Sequence, residues 1–359
     1  MCLLTDSFRG DKMNGSGSFP TATELPLVSV VIPVYNVCNY LSQCLGSVIG
    51  QTYRNMEIII IDDGSTDGSS GICDEFASRD PRIRVIHTEN RGVAAARNLG
   101  IDSVRGSYVS FVDSDDWIEP DTVDTLVKTA LEYKADIVAA GMRTEYIGMT
   151  VGANKKDDLI RIYRGEDILP AFASTIIGNL ITNKLHLADC FKGIRFPEGH
   201  IYEDVAVTWR ETDNLAKNNG TVVVLPDKFF HIRMRKGSIS HTKSFGNIVD
   251  CWNAYYEKYK NMPSLQEQFI PHCFMAIGRM WGSYRDFTKE EKQKSAETIR
   301  EMKSFSKENR QRVMKGNFSR MNKFICLYSQ KSGPVVMLLC NWGVKLRSAF
   351  SKTNKKMYD

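Results

Sequence analysis

The sequence predicts an α/β fold, a mostly parallel sheet with flanking helices, continued by a helical C-terminal extension. Three observations predict it. Between Leu27 and Val112, apolar runs of strand length alternate with amphipathic stretches of helix length, the pattern of a parallel sheet covered on both faces. Two of those runs end in acidic clusters, Asp62-Asp63 and Asp113-Ser114-Asp115-Asp116. The charge is also unevenly divided. From His241 onward, 22 Lys and Arg face 10 Asp and Glu, whereas the preceding part carries 25 against 32, within a chain of net charge +5. An acidic first part and a basic tail point to two jobs.

The elements follow in order. Val28-Ser29-Val30-Val31-Ile32-Pro33-Val34 is a continuous apolar run, the mark of a buried parallel strand. Tyr40 to Gly50 places Leu41, Leu45, Val48 and Ile49 at helical spacing, with Asn39 as the expected cap. Glu57 to Ile61 is the second strand, and Ile72 and Phe76 belong to the helix after it. Ile83 to His87 is a short third strand, Gly92 to Ile101 an Ala-rich helix, and Tyr108 to Val112 the fourth strand. Further on, Pro120 to Lys134 reads as a helix and Ile137 to Ala140 as a strand. Met142 to Ile162 reads as a loop or edge hairpin, Gly165 to Ser174 as helical, and Val205 to Leu215 as a helix. Thr221 to Leu225 and Phe229 to Arg233 are expected as two strands, and from about Asn247 the chain is helical.

With 359 residues, 42% hydrophobic and 25% charged, the chain has room for two or three packed units. Its nine cysteines include no C-x-x-C pair, which argues against a disulfide framework and a zinc site and for reduced thiols in the cytosol. Residues 1–26 read as a disordered leader without the apolar core of a signal peptide. No run of about 20 apolar residues predicts a transmembrane helix.

Parallel strands share a direction, so both acidic strand ends fall on one edge of the sheet, where open α/β sheets bind ligands. Carboxylates this close repel and call for a cation or strong hydrogen bonding. Hard ions such as Mg²⁺ and Mn²⁺ take such oxygens, commonly together with substrate phosphates. The edge therefore suggests a metal–diphosphate site, against the blander alternative of two solvated, helix-capping turns.

Several ordered blocks carry a family resemblance. Ile32-Pro33-Val34-Tyr35-Asn36, Gln51-Thr52-Tyr53, Asp62-Asp63-Gly64-Ser65-Thr66-Asp67, Ala95-Ala96-Arg97-Asn98-Leu99-Gly100 and Phe111-Val112-Asp113-Ser114-Asp115-Asp116 resemble a family-two glycosyltransferase. Asn183-Lys184-Leu185, Phe196-Pro197-Glu198-Gly199 and Tyr202-Glu203-Asp204 continue the match in order, to about Ser240. The resemblance implies a GT-A (Rossmann-like) fold and inverting transfer of a sugar from a nucleotide-diphosphate donor, UDP before GDP or dTDP. It implies a donor-binding half over 27–118 and an acceptor-binding and catalytic half over 119–240; the resemblance stops there, and residues 241–359 read from their charge and patterning as a basic helical region. Pro33, Val34 and Tyr35 would line the base pocket and Asp63 would accept from the base, with Asp62 supporting the loop. Arg97 would lie near the nucleotide. Asp113 would face ribose and the metal shell with Ser114 beside it, Asp115 would ligate Mn²⁺ or Mg²⁺, and Asp116 would support. Asp204 matches the general base, with Glu203 adjacent. A positioned base typically contributes about 10²–10⁴-fold.

Each role has a plainer alternative: Asp204 as a helix cap, Arg97 as a surface cation, Tyr35 as a core aromatic, Ser65-Thr66 as a cap. His231 reads as a satisfied strand histidine more readily than a metal ligand. Arg233, Arg235 and Lys236 fit either a solvated loop or one that closes over a diphosphate. In the tail, Phe324 to Phe350 is apolar with Trp342 and a basic flank. It fits an interfacial helix on an anionic membrane surface, or a helix packed on the catalytic domain or in a homodimer contact. It lacks the alternating aromatics and cations of a nucleic-acid groove. The expected acceptor is a glycan or lipid-linked saccharide of surface polysaccharide assembly at the inner face of the cell membrane. The competing functions are an inactive nucleotide-sugar-binding scaffold and a sugar nucleotidylyltransferase. The latter would need a Gly-rich phosphate loop where Pro33-Val34-Tyr35-Asn36 stands.

Overall fold

The computed structural model describes residues 25–146, 149–151, 159–174, 177–234 and 244–329. In chain order the first part runs β1 (Val28–Val34), α1 (Cys38–Ile49), β2 (Met56–Asp62), α2 (Ser69–Arg79), β3 (Ile83–His87), α3 (Val93–Ser103) and β4 (Tyr108–Phe111). Then come β5 (Trp117–Ile118), α4 (Thr122–Tyr133), β6 (Ile137–Tyr146), β7 (Met149–Val151), β8 (Arg161–Arg164), α5 (Ile168–Ala173), β9 (Lys184–Leu187), α6 (Glu203–Lys217) and β10 (Thr221–Arg233). The helical extension is α7 (Phe245–Asn261), α8 (Gln266–Ser283), α9 (Lys289–Lys294), α10 (Ala296–Glu308), α11 (Arg310–Lys315) and α12 (Arg320–Tyr328).

The strands form one mixed sheet in the order β3-β2-β1-β4-β9-β6-β10-β5, with β7 on β6 and β8 on β10. β1 to β4 pair in parallel, β9 inserts antiparallel between β4 and β6, and β10 runs parallel to β6. The period-2 alternation of strands sends neighbours to opposite faces. Val30, Ile32, Ile58 and Ile60 meet Leu41, Leu45 and Val48 of α1 on one face. Val31, Ile59, Ile61 and Phe111 meet Ala94 and Ala96 of α3 on the other. The small residues of α3 let it lie close to the sheet: a Cβ on Gly100 would stand 2.3 Å from Val31 Cγ1.

Local departures from the sequence expectation have physical causes. Thr221 to Arg233 is one strand rather than two, because β10 absorbs Pro226 with register shifts around Lys228 and keeps pairing with β6. The Met142–Ile162 region contributes an extended β6 and the short β7 hairpin. α1 starts at Cys38, and Asp67 Oδ2 rather than Asn39 receives the Cys38 N–H, at 3.0 Å. Ser65 and Thr66 do not cap α2. They latch the two loops together, with Ser65 Oγ accepting from Asn36 N and Thr66 N donating to Asn36 Oδ1. Residues 1–24 of the predicted leader and 330–359 of the tail lie outside the described residues.

The extension builds its own core around Trp252, Phe274 and Phe305, which also takes in Val205 of α6. α12 packs there through Ile325 and Cys326, so the start of the apolar tail is a packed helix. Among the described residues no helix is long and apolar enough to cross a membrane. The seven described cysteines are all free, six of them buried.

Substituting Gly100→Ala should destabilise the fold by about 1–3 kcal/mol through overpacking against Val31. Urea unfolding of the variant beside the parent chain measures this, and equal midpoints would contradict the close α3–β1 contact.

Candidate active site

The site forms where β1, β2 and β4 end together. Asp63 N donates to Val34 O at 2.9 Å, fixing the two loop starts side by side. Pro33 and Val34 are buried at the end of β1, and Tyr35 beyond them is 47% exposed. The alternative of a core aromatic is thereby overturned.

The two acidic pairs do different things. Asp62 is buried and accepts from Ser65 N, Ser70 Oγ and His87 Nδ1. Burial raises its carboxyl, but these hydrogen bonds outweigh burial and hold it below its ordinary value. That is the loop-supporting role expected of it. Asp63 Oδ1 accepts from Arg91 N at 2.8 Å and Oδ2 from Gly92 N at 2.7 Å, just ahead of α3. Thr88 Oγ1 adds a longer contact to Oδ1 at 3.4 Å, and since an ionised carboxylate has about four acceptor positions, Asp63 keeps capacity beyond these three. It also lines a cavity of about 170 Å³ with Thr88, Arg91, Asn98 and Glu198.

Arg97 joins the two sides of the site. It sits on α3, 4% exposed, with its guanidinium 5.6 Å from the Phe196 ring. Nη2 donates to Asp113 Oδ1 at 2.8 Å, and Nη1 donates to Glu203 Oε1. Burial works against its charge, and Asp113, Glu203 and Asp204 more than restore it. The surface-cation alternative is overturned. The neighbouring Asn98 holds the backbone of Phe196 from both sides, Nδ2 to Phe196 O and Oδ1 from Phe196 N, each at 2.9 Å.

After β4, Ser114 is buried between the partly exposed Asp113 and Asp115. Burial, then Asp113 and Asp115, push the Asp116 carboxyl up to about 8. Arg233 N donates to Asp116 Oδ1 at 2.8 Å, and Arg233 Nε to Asp115 O at 2.9 Å. The Arg233 guanidinium also lies over Tyr40 and Trp117. Arg233 is therefore the fixed end of β10 and not part of a free loop, while Arg235 and Lys236 lie outside the described residues. His231 stacks on Trp117 between Glu145 and Glu119, at 2.8 and 2.9 Å, as a satisfied strand histidine.

Asp204 lies at the start of α6, where Oδ1 accepts from Val205 N at 2.6 Å. Burial, then Glu203, raise its carboxyl to about 6, against the pull of Arg97, the Val205 N–H and Lys258. Asp204 is the second residue of α6 rather than its cap, which falls at Tyr202. Two features escaped the sequence reading. Glu203 is a direct partner of Arg97. Behind Asp204 stand two buried lysines: Lys258, lowered to about 7, and Lys184, lowered to about 8, in both cases by burial first. Lys258 Nζ donates to Asn179 Oδ1 at 2.6 Å and faces the Phe172 ring. Nothing in the local sequence around Lys258 distinguishes it from the solvated lysines of the basic tail.

The acidic cluster presents oxygen donors alone, the donor type that hard divalent ions take. Among the described residues no three His, Cys, Asp or Glu converge to cage an ion by themselves.

The sheet order, the shared acidic edge and the covering helices define a GT-A fold. Structures of S. aureus TarS 1-349 have it too: the complex with UDP-GlcNAc superposes with a TM-score of 0.65 at 18% identity, over 89% of this chain and 91% of that one. The mannosyltransferase PcManGT from Pyrobaculum calidifontis, in complex with GDP-Man and Mn2+, gives a TM-score of 0.51 at 15% identity, over 90% and 89%. The family model of glycosyl transferase family 2 matches residues 29–197. Glycosyltransferase GlyA of Streptococcus pneumoniae is 40% identical over 227 residues, 59% of this chain and 31% of that protein. Glycosyltransferase GlyG of the same organism is 36% identical over 234 residues, 60% of this chain and 74% of that protein. The chain belongs to glycosyl transferase family 2.

Arg97→Ala leaves Asp113 and Glu203 without their cation. It should cost about 3 kcal/mol, the low end for a broken buried pair because Asp113 is partly open to water. Arg97→Lys should recover only part of this, since an ammonium lacks the planar fork that reaches two carboxylates. Denaturant unfolding at pH 7 checks both. An Arg97→Ala variant as stable as the parent would remove Arg97 from its bridging place.

Proposed function

We propose that the chain is an inverting, metal-dependent glycosyltransferase that takes its sugar from a nucleotide-diphosphate donor, with UDP as carrier. The acceptor is a hydroxyl of a glycan or lipid-linked saccharide in surface polysaccharide synthesis. The observation that carries this reading is the Arg97 bridge. Through it, Asp113 on the donor side and the Glu203-Asp204 pair meet at one edge of the sheet.

The proposed roles follow from that arrangement. The exposed Tyr35 ring offers an apolar surface to the base, Pro33 and Val34 contribute backbone at the end of β1, and Asp63 offers a carboxylate pre-ordered by two backbone N–H groups. Asp113 and Ser114 stand beside the ribose and diphosphate. Asp115, with Asp113, would hold Mn²⁺ or Mg²⁺, which when bound neutralises charge developing on the departing diphosphate. Asp204 takes the proton of the acceptor hydroxyl as that oxygen attacks the anomeric carbon opposite the leaving group. One displacement inverts the centre, so no protein nucleophile is required. A base with a pKa near the operating pH combines availability with strength, and Asp204 at about 6 lies in that range.

UDP support comes from the TarS complexes, and metal support from the mannosyltransferase complex, both as fold neighbours. Chondroitin synthase of Pasteurella multocida, 38% identical over 110 residues, makes a polysaccharide context reasonable. Placement at the cytoplasmic face of a membrane rests on the basic tail alone.

The test is UDP release from a panel of UDP-, GDP- and dTDP-sugars with Mn²⁺. Turnover of at least one UDP-sugar is expected, with losses of about 100-fold or more in Asp115→Asn and Asp204→Asn; unchanged turnover in either variant removes that residue from its role. The acid limb supplies a second check. Asp204 must be deprotonated to accept a proton, so the rate should rise with pH through about 6 and level off above it. A rate independent of pH between 5 and 8 would contradict Asp204 as the base.

A further inference from the structure

The segment that presents Asp204 is held from outside the family-matched region, which ends at residue 197. Tyr202, two residues before Asp204, has φ +63°. A non-glycine residue adopts this left-handed backbone at a cost, and it persists where the surroundings fix it. The surroundings here are the C-terminal helices. Asp250 of α7 grips two consecutive residues: Oδ1 lies 2.8 Å from His200 Nδ1, and Oδ2 accepts from Ile201 N at 3.0 Å. Arg279 of α8 takes the next one, donating from Nη1 to the Tyr202 hydroxyl at 2.5 Å, with Cys251 Sγ 3.6 Å away. Glu203 is then held by Arg97. Residues 200 to 203 thus each carry a tertiary anchor, and Val205 is buried in the core of the extension. Asp204 is the acid displayed at the end of this anchored stretch.

We propose that Asp250 and Arg279 are positioning residues for sugar transfer: through His200, Ile201 and Tyr202 they fix where the Asp204 carboxylate stands, which makes α7 and α8 part of the catalytic apparatus. This rests on the reading of Asp204 as the base. Neither residue touches the donor side of the site, which is built by β1, β2, β4 and α3. Their loss should therefore lower the rate of the chemical step and leave donor binding alone. Misplacement of a catalytic group by about 1 Å can cost on the order of 100-fold.

The full chain is assayed for UDP release from UDP-N-acetylglucosamine, UDP-glucose and UDP-galactose with Mn²⁺, and for UDP binding by calorimetry. Asp250→Ala and Tyr202→Phe should each lower kcat about 10- to 100-fold, with donor KM and UDP Kd within about twofold of the parent. Asp250→Asn, which can still accept the Ile201 N–H, should recover most of the loss. In an Asp204→Asn background the same substitutions should lower the residual rate no further, because there is no base left to position. Two results overturn the proposal: parental kcat in both Asp250→Ala and Tyr202→Phe, or an equal further loss in the Asp204→Asn background. If Asp250→Ala does not fold, Tyr202→Phe decides, since it deletes one hydroxyl from a partly exposed side chain. Failure of the underlying reading looks different: there Asp204→Asn itself turns over donor at the parental rate.

Discussion

A guanidinium taken out of water must be met by carboxylates, and at Arg97 they come from two distant stretches of chain. Asp113 follows β4 and Glu203 opens α6, so the cation on α3 is satisfied only when both have been brought to the same edge of the sheet. Either carboxylate alone would leave a costly buried charge. The pairing therefore selects the arrangement in which the end of β4 and the start of α6 meet. Asn98 applies the same logic to uncharged groups. Its amide closes two hydrogen bonds on Phe196, whose ring lies beside the Arg97 guanidinium and against Phe111. The two adjacent residues on one turn of α3 thus fix both the charge and the backbone of the segment leading to Asp204.

Much of this was legible in the sequence, for physical reasons that differ by residue. The strands β1, β2 and β4 are buried on both faces, so they read as continuous apolar runs, and parallelism alone places Asp62-Asp63 and Asp113 to Asp116 on one edge. What the chain could not display was the partner of each charge. Arg97 follows a run of alanines on a helix, and helical periodicity gives an arginine there no mark of burial. Its depth comes from α3 lying close on the sheet, a consequence of Gly100 facing Val31. Ser65, Thr66 and Asp67 look like a helix start because Ser, Thr and Asp favour caps. Here the nearby β1–α1 loop, with Asn36 at φ +50°, engages all three: Asn36 N donates to Ser65 Oγ, Asn36 Oδ1 accepts from Thr66 N, and Cys38 N donates to Asp67 Oδ2, while Asp67 Oδ1 stays with Ser69 at the start of α2. β10 looked like two strands because Pro226 cannot donate to a ladder. A bulge accommodates it, and strand direction survives.

Lys258 shows the limit of sequence reading most clearly. It occurs in a stretch whose excess of cations reads as a solvated, basic surface, yet it is fully buried, with Asn179 and the Phe172 ring as its partners. The amphipathic pattern of α7 does not distinguish it, because a lysine at the edge of an apolar stripe usually snorkels to water. Burial lowers it to about 7 and the Asp204 carboxylate works the other way, so the extension contributes an electrostatic influence to the site as well as hydrogen bonds.

The state of Asp204 depends on how Arg97 divides its donors. An aspartate paired directly with a buried guanidinium would be held well below its ordinary pKa and would be a poor proton acceptor. Arg97 instead gives its two terminal nitrogens to Asp113 and Glu203, and Asp204 receives a hydrogen bond from Val205 N. The neighbouring Glu203 charge also raises Asp204, while Arg97, the Val205 N–H and Lys258 keep burial from raising it further. Glu203 thus does two things at once: it satisfies the cation that organises the edge, and it keeps that cation from quenching the adjacent carboxylate. That double duty gives a physical reason for two consecutive acids at the start of α6, where a helix N-terminus would be served by one.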